Sequence, residues 1–304
     1  MVNTVSANTA ERTTTQTHDG VLQADTPVVA PATMGPVLAI GGAEDKHANG
    51  EILDLFVARA GGGRARITLI PTASDEPAET VQRYRQELME RGVPEINVLE
   101  VTSREEANSL AAVDAFEGAT GVFITGGTQE RLVELLVGTH AIAALRARHA
   151  AGAIIGGTSA GASILASHAI SGGTGVGGET SDSAAIKAMV EVATGFGVFP
   201  GVIIDQHFSE RGRLGRLMAA FAGNPGLVAI GLDEATAVLF NGTDEFETLG
   251  EGMVAVIAGR NATSNYFERD PGEVLTVLNC QLHVLGPHQR FNVLLQTPSF
   301  DLSD

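Results

Sequence analysis

The chain has 304 residues, is 44% hydrophobic and 18% charged, and carries one cysteine and a formal net charge of -17. That length can bury a sizeable core, the hydrophobic fraction excludes a wholly disordered chain, and the lone Cys280 excludes an intrachain disulfide framework or a multi-cysteine metal site. The acidic balance argues against a nucleic-acid partner, because phosphate would be repelled.

In chain order, residues 1–35 are rich in Thr, Ala and Val and lack a basic segment followed by an apolar one. They are expected to form a disordered extension rather than a secretory leader, and the protein is expected in the cytoplasm. Residues 36–304 are expected to fold as a single α/β domain. Val37-Leu38-Ala39-Ile40 ends at Gly41-Gly42, as a buried parallel strand does. Helix is predicted over 50–60, strand over 66–71, helix over 76–91, and strand over 96–101. A further strand over 121–125 runs into Gly126-Gly127, with helices over 129–137 and 142–150. Ala153-Ile154-Ile155 is a short strand entering Gly156-Gly157-Thr158-Ser159. This alternation predicts a mostly parallel, doubly wound sheet with helices on both faces. After about residue 250 the runs over 252–257, 273–278 and 281–285 are β-rich and read as a C-terminal antiparallel addition to the same sheet. The uncharged stretch over 150–167 carries too many glycines and hydroxyls for a membrane span, so no membrane partner is expected.

Gly157-Thr158-Ser159-Ala160-Gly161 matches the G-x-S-x-G elbow, in which a serine sits in a sharp strand-to-helix turn between residues too crowded for side chains. The Ala160 N–H would then face a developing oxyanion, with Gly126-Gly127-Thr128-Gln129 offering a second amide and a side chain for substrate. A serine nucleophile needs a base. Among eight histidines, His207 follows the apolar run Gly201-Val202-Ile203-Ile204 and falls at the carboxyl end of a strand, where open α/β sheets place their sites. His149, by contrast, reads as a helical surface residue. An acid must orient the imidazole. Asp233 and Glu234 close the strand that begins at Ala229, with Glu234 favoured, and Glu179 is the reserve. Arg211, Arg213 and Arg216 follow His207 closely and suit carboxylate recognition by bidentate guanidinium. No phosphate-cradling loop, dinucleotide fingerprint or metal-ligand spacing occurs, so no cofactor and no metal are expected.

The runs Ile40-Gly41-Gly42-Ala43-Glu44-Asp45-Lys46, Gly126 to Gln129, Gly156 to Ala162, Asp205-Gln206-His207-Phe208 with its three arginines, and Gly231 to Ala237 occur together in this order. In them the chain resembles the cyanophycinases, serine peptidases of the aspartyl dipeptidase family, from about Pro36 to Pro298. The resemblance implies a Ser159–His207–Glu234 triad. It also implies a substrate pocket lined or supported by Gln129, Asp205, Gln206, Arg211, Arg213 and Arg216, and a homodimer without a metal. The implied substrate is cyanophycin, a poly-aspartate bearing arginines on its β-carboxyls, cut to β-Asp-Arg dipeptides. An aspartyl dipeptidase acting on short Asp-X peptides is the alternative. A non-catalytic polymer binder and a nicotinamide oxidoreductase are more distant ones. Two departures stand out: the N-terminal extension is longer than the family core requires, and Ala235 stands where a polar residue often follows the acid pair.

Overall fold

The computed structural model describes residues 34–44, 50–172 and 184–299. All of the expected N-terminal extension except Met34 and Gly35, and the reserve acid Glu179, therefore lie outside the described residues. The strands in chain order are β1 (Val37–Ile40), β2 (Arg66–Ile70), β3 (Glu95–Val98), β4 (Gly121–Ile124), β5 (Ile154–Thr158) and β6 (Ala166–Gly172). They continue with β7 (Glu191–Thr194), β8 (Phe199–Gln206), β9 (Val228–Leu232), β10 (Thr236–Phe240), β11 (Glu245–Gly250) and β12 (Val254–Ala258). The last are β13 (Thr263–Ser264), β14 (Val277–Leu278), β15 (Gln281–Leu285), β16 (Arg290–Asn292) and β17 (Thr297–Ser299).

The α/β class expected from the sequence is the one observed, but the strands divide between two main sheets. The first has the order β17-β16-β11-β10-β1-β5-β4-β2-β3. Its β1, β5, β4, β2 and β3 run parallel, and β10, β11, β16 and β17 extend it antiparallel. The second has the order β15-β12-β9-β8-β6-β7, with β6, β8 and β9 parallel. The C-terminal β-rich runs thus do not join one sheet. The run over 252–257 contributes to β12 and that over 281–285 is β15, both in the second sheet, while only Val277–Leu278 of the run over 273–278 is strand, paired with β13.

Period-two alternation explains why β1 is apolar throughout. Val37 and Ala39 face one core and Leu38 and Ile40 the other, all fully buried. The Leu38 face is covered by the helices Glu51–Arg59 and Pro77–Glu90 through Phe56, Tyr84 and Leu88. The Val37 face meets the helices Gln129–Leu136, His140–Ala150 and Ala160–Leu165 and one face of the second sheet. The helix Leu214–Gly223 covers that sheet's far side, setting Leu217 and Phe221 against Ala229, Ala255 and Ile257.

One sequence expectation needs correction. His149 is buried, not a surface residue: its Nε2 lies 2.7 Å from the Gly35 carbonyl oxygen, and burial pushes its pKa below the usual histidine value. The uncharged stretch over 150–167 supplies β5, the Ser159 turn, the helix Ala160–Leu165 and the start of β6. Among the described residues no helix is long and apolar enough to cross a membrane.

Candidate active site

β5 lies between β1 and β4, so its carboxyl end opens where the parallel strands of the first sheet terminate. Ser159 turns the chain there with φ 53° and ψ -118°, a sparsely populated conformation for a residue with a side chain. The glycines on either side follow from crowding. A Cβ on Gly157 would stand 2.2 Å from the Gly161 carbonyl oxygen, and one on Gly161 would stand 2.3 Å from that of Ile124. The helix Ala160–Leu165 that follows is buried at every residue.

His207 and Glu234 come from the second sheet, at the carboxyl ends of β8 and β9. The Ser159 hydroxyl lies 3.0 Å from His207 Nε2, and His207 Nδ1 lies 2.7 Å from Glu234 Oε1. Of the two acids closing β9, Glu234 meets the ring. Asp233 instead accepts the Ser209 N–H at 2.9 Å and the Met253 N–H at 3.2 Å, tying together loops on its own sheet.

Three consecutive carbonyls at the end of β1 hold these three loops in place. Ser159 N–H donates to the Ile40 carbonyl at 2.9 Å, His207 N–H to that of Gly41 at 3.0 Å, and Ala235 N–H to that of Gly42 at 2.9 Å. A Cβ on Gly42, whose φ is 107°, would lie 2.4 Å from His207 Cε1. Glycine suits residue 42, because a Cβ there would displace the imidazole.

Burial pushes the His207 pKa below the usual histidine value. The Glu234 hydrogen bond opposes that shift, and the Arg211 and Arg213 guanidinium groups reinforce it. The ring is therefore neutral at pH 7 and free to take a proton from a hydroxyl, with Glu234 fixing its tautomer. The Gly126-Gly127 turn lies against the serine: a Cβ on Gly126 would be 3.0 Å from Ser159 Cβ. Among the described residues, neither the Ala160 nor the Gly127 amide donates to a backbone carbonyl.

The arginines divide into two roles. Asp205 is fully buried, and its carboxylate meets Arg213 Nη1 and Arg216 Nε, each at 3.0 Å. Arg213 also donates to the Gln206 carbonyl at 2.7 Å and to Gln206 Oε1 at 2.9 Å. Gln206 Nε2 reaches Gln129 Oε1 at 3.4 Å, and Gln129 Nε2 donates to the Ile170 carbonyl at 2.7 Å. Arg213 and Arg216 thus brace the strand that carries His207, whereas Arg211 is exposed and makes no ion pair among the described residues. Sequence reasoning placed all three arginines beside the site but not Asp205 as the partner of two of them.

A cavity of about 490 Å³ opens at the serine, lined by Ser159, His207, Thr158, Glu44, Tyr84 and Arg83 among others. Glu44 is nearly inaccessible, yet it is held only by hydroxyls: Tyr84 O–H donates to Oε1 and Thr158 Oγ1 to Oε2, the latter at 2.6 Å. Sequence reasoning quoted Glu44 within a motif and gave it no role. Its one signal is an acid two residues beyond the glycine pair that ends an apolar strand.

The family model for peptidase family S51 matches residues 37–248. A cyanophycinase from Nostoc sp. is 40% identical over 268 residues, 88% of each chain. One from Geminocystis herdmanii is 38% identical over 258 residues, 84% of this chain and 93% of that protein. The crystal structure of a peptidase from an acI-B1 Actinobacterium superposes with a TM-score of 0.63 at 22% identity, covering 86% of this chain and 98% of that one, a likeness of fold. The chain belongs to peptidase family S51 and is a serine-type peptidase.

Proposed function

We propose that the chain is a cyanophycinase, a serine-type exopeptidase that hydrolyses multi-L-arginyl-poly-L-aspartate to β-Asp-Arg dipeptides. The observation that carries this reading is the hydrogen-bond chain Ser159–His207–Glu234 at the end of β1, in a protein 40% identical to relatives named cyanophycinase. Ser159 Oγ attacks the carbonyl carbon of the peptide bond between backbone aspartates while His207 Nε2 takes the hydroxyl proton. The amides of Ala160 and Gly127 stabilise the oxyanion. As the C–N bond breaks, His207 returns that proton to the leaving amine, and an acyl-enzyme ester remains. Water then attacks the ester, His207 takes the water proton, and Ser159 leaves with it. Glu234 keeps the ring in the donor–acceptor state that both halves need.

Gln129, Gln206 and Arg211 contact substrate in this reading, and Asp205, Arg213 and Arg216 hold them. The relatives' names favour polymer over short Asp-X peptides. No metal or cofactor enters the reaction. The enzyme works in the cytoplasm, where its single cysteine suits a reducing medium, and as a homodimer. Support for the dimer comes from the second sheet's edge strand β15, which exposes Leu282 and Val284 beside Leu214. The decisive experiment incubates the enzyme and Ser159→Ala with insoluble cyanophycin and identifies products by mass. β-Asp-Arg from the wild type alone supports the reading. Turnover by Ser159→Ala overturns the nucleophile, and a wild type that leaves the polymer intact overturns the substrate.

A further inference from the structure

The cavity beside Ser159 contains a charge pattern that the hydrolytic chemistry does not use. Glu44 is 4% exposed and receives two neutral hydroxyls, from Tyr84 and Thr158. It forms no ion pair among the described residues. A buried carboxylate is costly unless a positive group compensates it, and each of its oxygens keeps a second acceptor site after binding one hydroxyl. The nearby Glu87 differs, because Arg91 Nη1 already meets it at 2.6 Å. Arg83 lines the same cavity from the exposed side of the helix Pro77–Glu90. Its guanidinium carbon lies 4.9 Å from the centre of the Tyr84 ring, and it makes no ion pair among the described residues. The Tyr84 ring thus stands between a buried anion that its hydroxyl touches and an exposed cation over its face.

We propose that this cavity is a binding site for a zwitterionic arginyl group of the substrate, with Glu44 taking the guanidinium and Arg83 the free α-carboxylate. The proposal rests on the hydrolytic reading above and names what fixes specificity there. The ligand chemistry matches at both ends: a planar cation pairs with a carboxylate, a carboxylate pairs with a guanidinium, and both charges belong to one residue. Thr158 directly precedes the nucleophile, so the carboxylate it binds stands close to the bond being cut. An arginyl group seated there would hold the neighbouring aspartyl carbonyl against Ser159.

The test uses three synthetic oligo-aspartates. One carries β-linked arginine, one citrulline, whose urea keeps the shape without the charge, and one agmatine, which lacks the α-carboxylate. The wild type should prefer the arginyl over the citrullinyl oligomer in kcat/KM by about 10- to 100-fold, the range for one charged hydrogen-bonded pair. Glu44→Gln should lose that preference, its kcat/KM falling about 10- to 100-fold more on the arginyl than on the citrullinyl oligomer. Arg83→Gln, an exposed change that leaves the core intact, should lose the preference for arginyl over agmatinyl oligomer. Equal losses on both oligomers in Glu44→Gln would mean a merely structural carboxylate and would overturn the proposal, as would an unchanged preference in Arg83→Gln. Calorimetric binding to Ser159→Ala separates the two readings. Glu44-dependent discrimination without wild-type hydrolysis removes the proposed reaction and keeps the site, whereas hydrolysis without discrimination does the reverse.

Discussion

Replacing Asp205 by alanine should cost about 3–5 kcal/mol of stability, the loss expected when one member of a buried ion pair is removed. The carboxylate is fully buried, and the two arginine side chains it meets are only 13% and 21% exposed, so water screens little of the interaction. Burial pulls the Arg213 pKa below its usual range, and Asp205 is the largest influence opposing that pull. Without the carboxylate two guanidinium groups face each other near the protein interior, and the Gln206 carbonyl and amide that Arg213 holds are released. Asp205→Asn should fare little better, since its amide N–H points donors at donors. Such a cost is a large part of the 5–15 kcal/mol that stabilises a typical protein, so guanidinium denaturation should show a clearly lower midpoint with unchanged slope. Because β8 leads directly into His207, activity should fall in the folded fraction as well. A stability loss below about 1 kcal/mol, the size of a surface pair, would refute the account of Asp205 as the charge that holds this network.

Ser159→Ala should keep the wild-type denaturation midpoint and lose at least about 10⁴-fold in kcat, with residual turnover above that level removing serine from the nucleophile's role. Glu234→Gln should lower kcat by up to about 10⁴-fold with little change in KM, because the tautomer is then unfixed; a KM effect alone would speak for substrate contact instead. The acid limb of kcat/KM should titrate below the usual histidine value near 6.5, since burial and two arginines disfavour the protonated ring, and a midpoint above 6.5 contradicts this. His207 and His149 both have depressed folded-state pKa values. The unfolded chain therefore takes up protons first as pH falls below about 6.5, and denaturation midpoints should drop with acid from there but stay flat between pH 7 and 8. If the proposed homodimer forms through β15, the wild type should sediment as a dimer and Leu282→Glu as a monomer; a monomeric wild type overturns the dimer, and a variant that stays dimeric overturns β15 as its interface.

The parts of the site legible in the sequence are those decided locally. The turn at Ser159 needs glycines two residues to either side, and β8 and β9 are uninterrupted apolar runs with polar residues at their ends. Which sheet a strand joins is not a local matter. β6 and β8 pair in parallel on the far side of the helix Ala160–Leu165, and no spacing in the sequence separates them from β1 and β5. β10 and β11 hide for another reason: β10 follows the acids of the site almost immediately, so the residues read as the end of one motif. Glu44 was illegible as a buried acid because its two donors stand 40 and 114 residues away in sequence. Arg213 and Arg216 share that fault in milder form, since their common partner precedes them by 8 and 11 residues across a turn.

Gly41 and Gly42 matter through backbone geometry, and this leads to a double-mutant test. Their carbonyls, with that of Ile40, receive one amide from each of the loops bearing Ser159, His207 and Glu234, so the three side chains are aligned by one strand end although they come from two sheets. Chain order is then immaterial to the chemistry, which is why serine, histidine and glutamate can occur in that sequence here. Gly42→Ala places a methyl 2.4 Å from the imidazole and must push it away from Ser159 or Glu234. A displacement of about 1 Å should reduce kcat by about 10²-fold. In a His207→Ala background the same methyl meets no ring, so Gly42→Ala should lower the residual rate by less than about two-fold. The strain of alanine at φ 107° is common to both backgrounds and affects stability rather than this ratio. Equal losses with and without the histidine ring would show that residue 42 acts on the serine or the oxyanion turn, and the steric reading of Gly42 would fail.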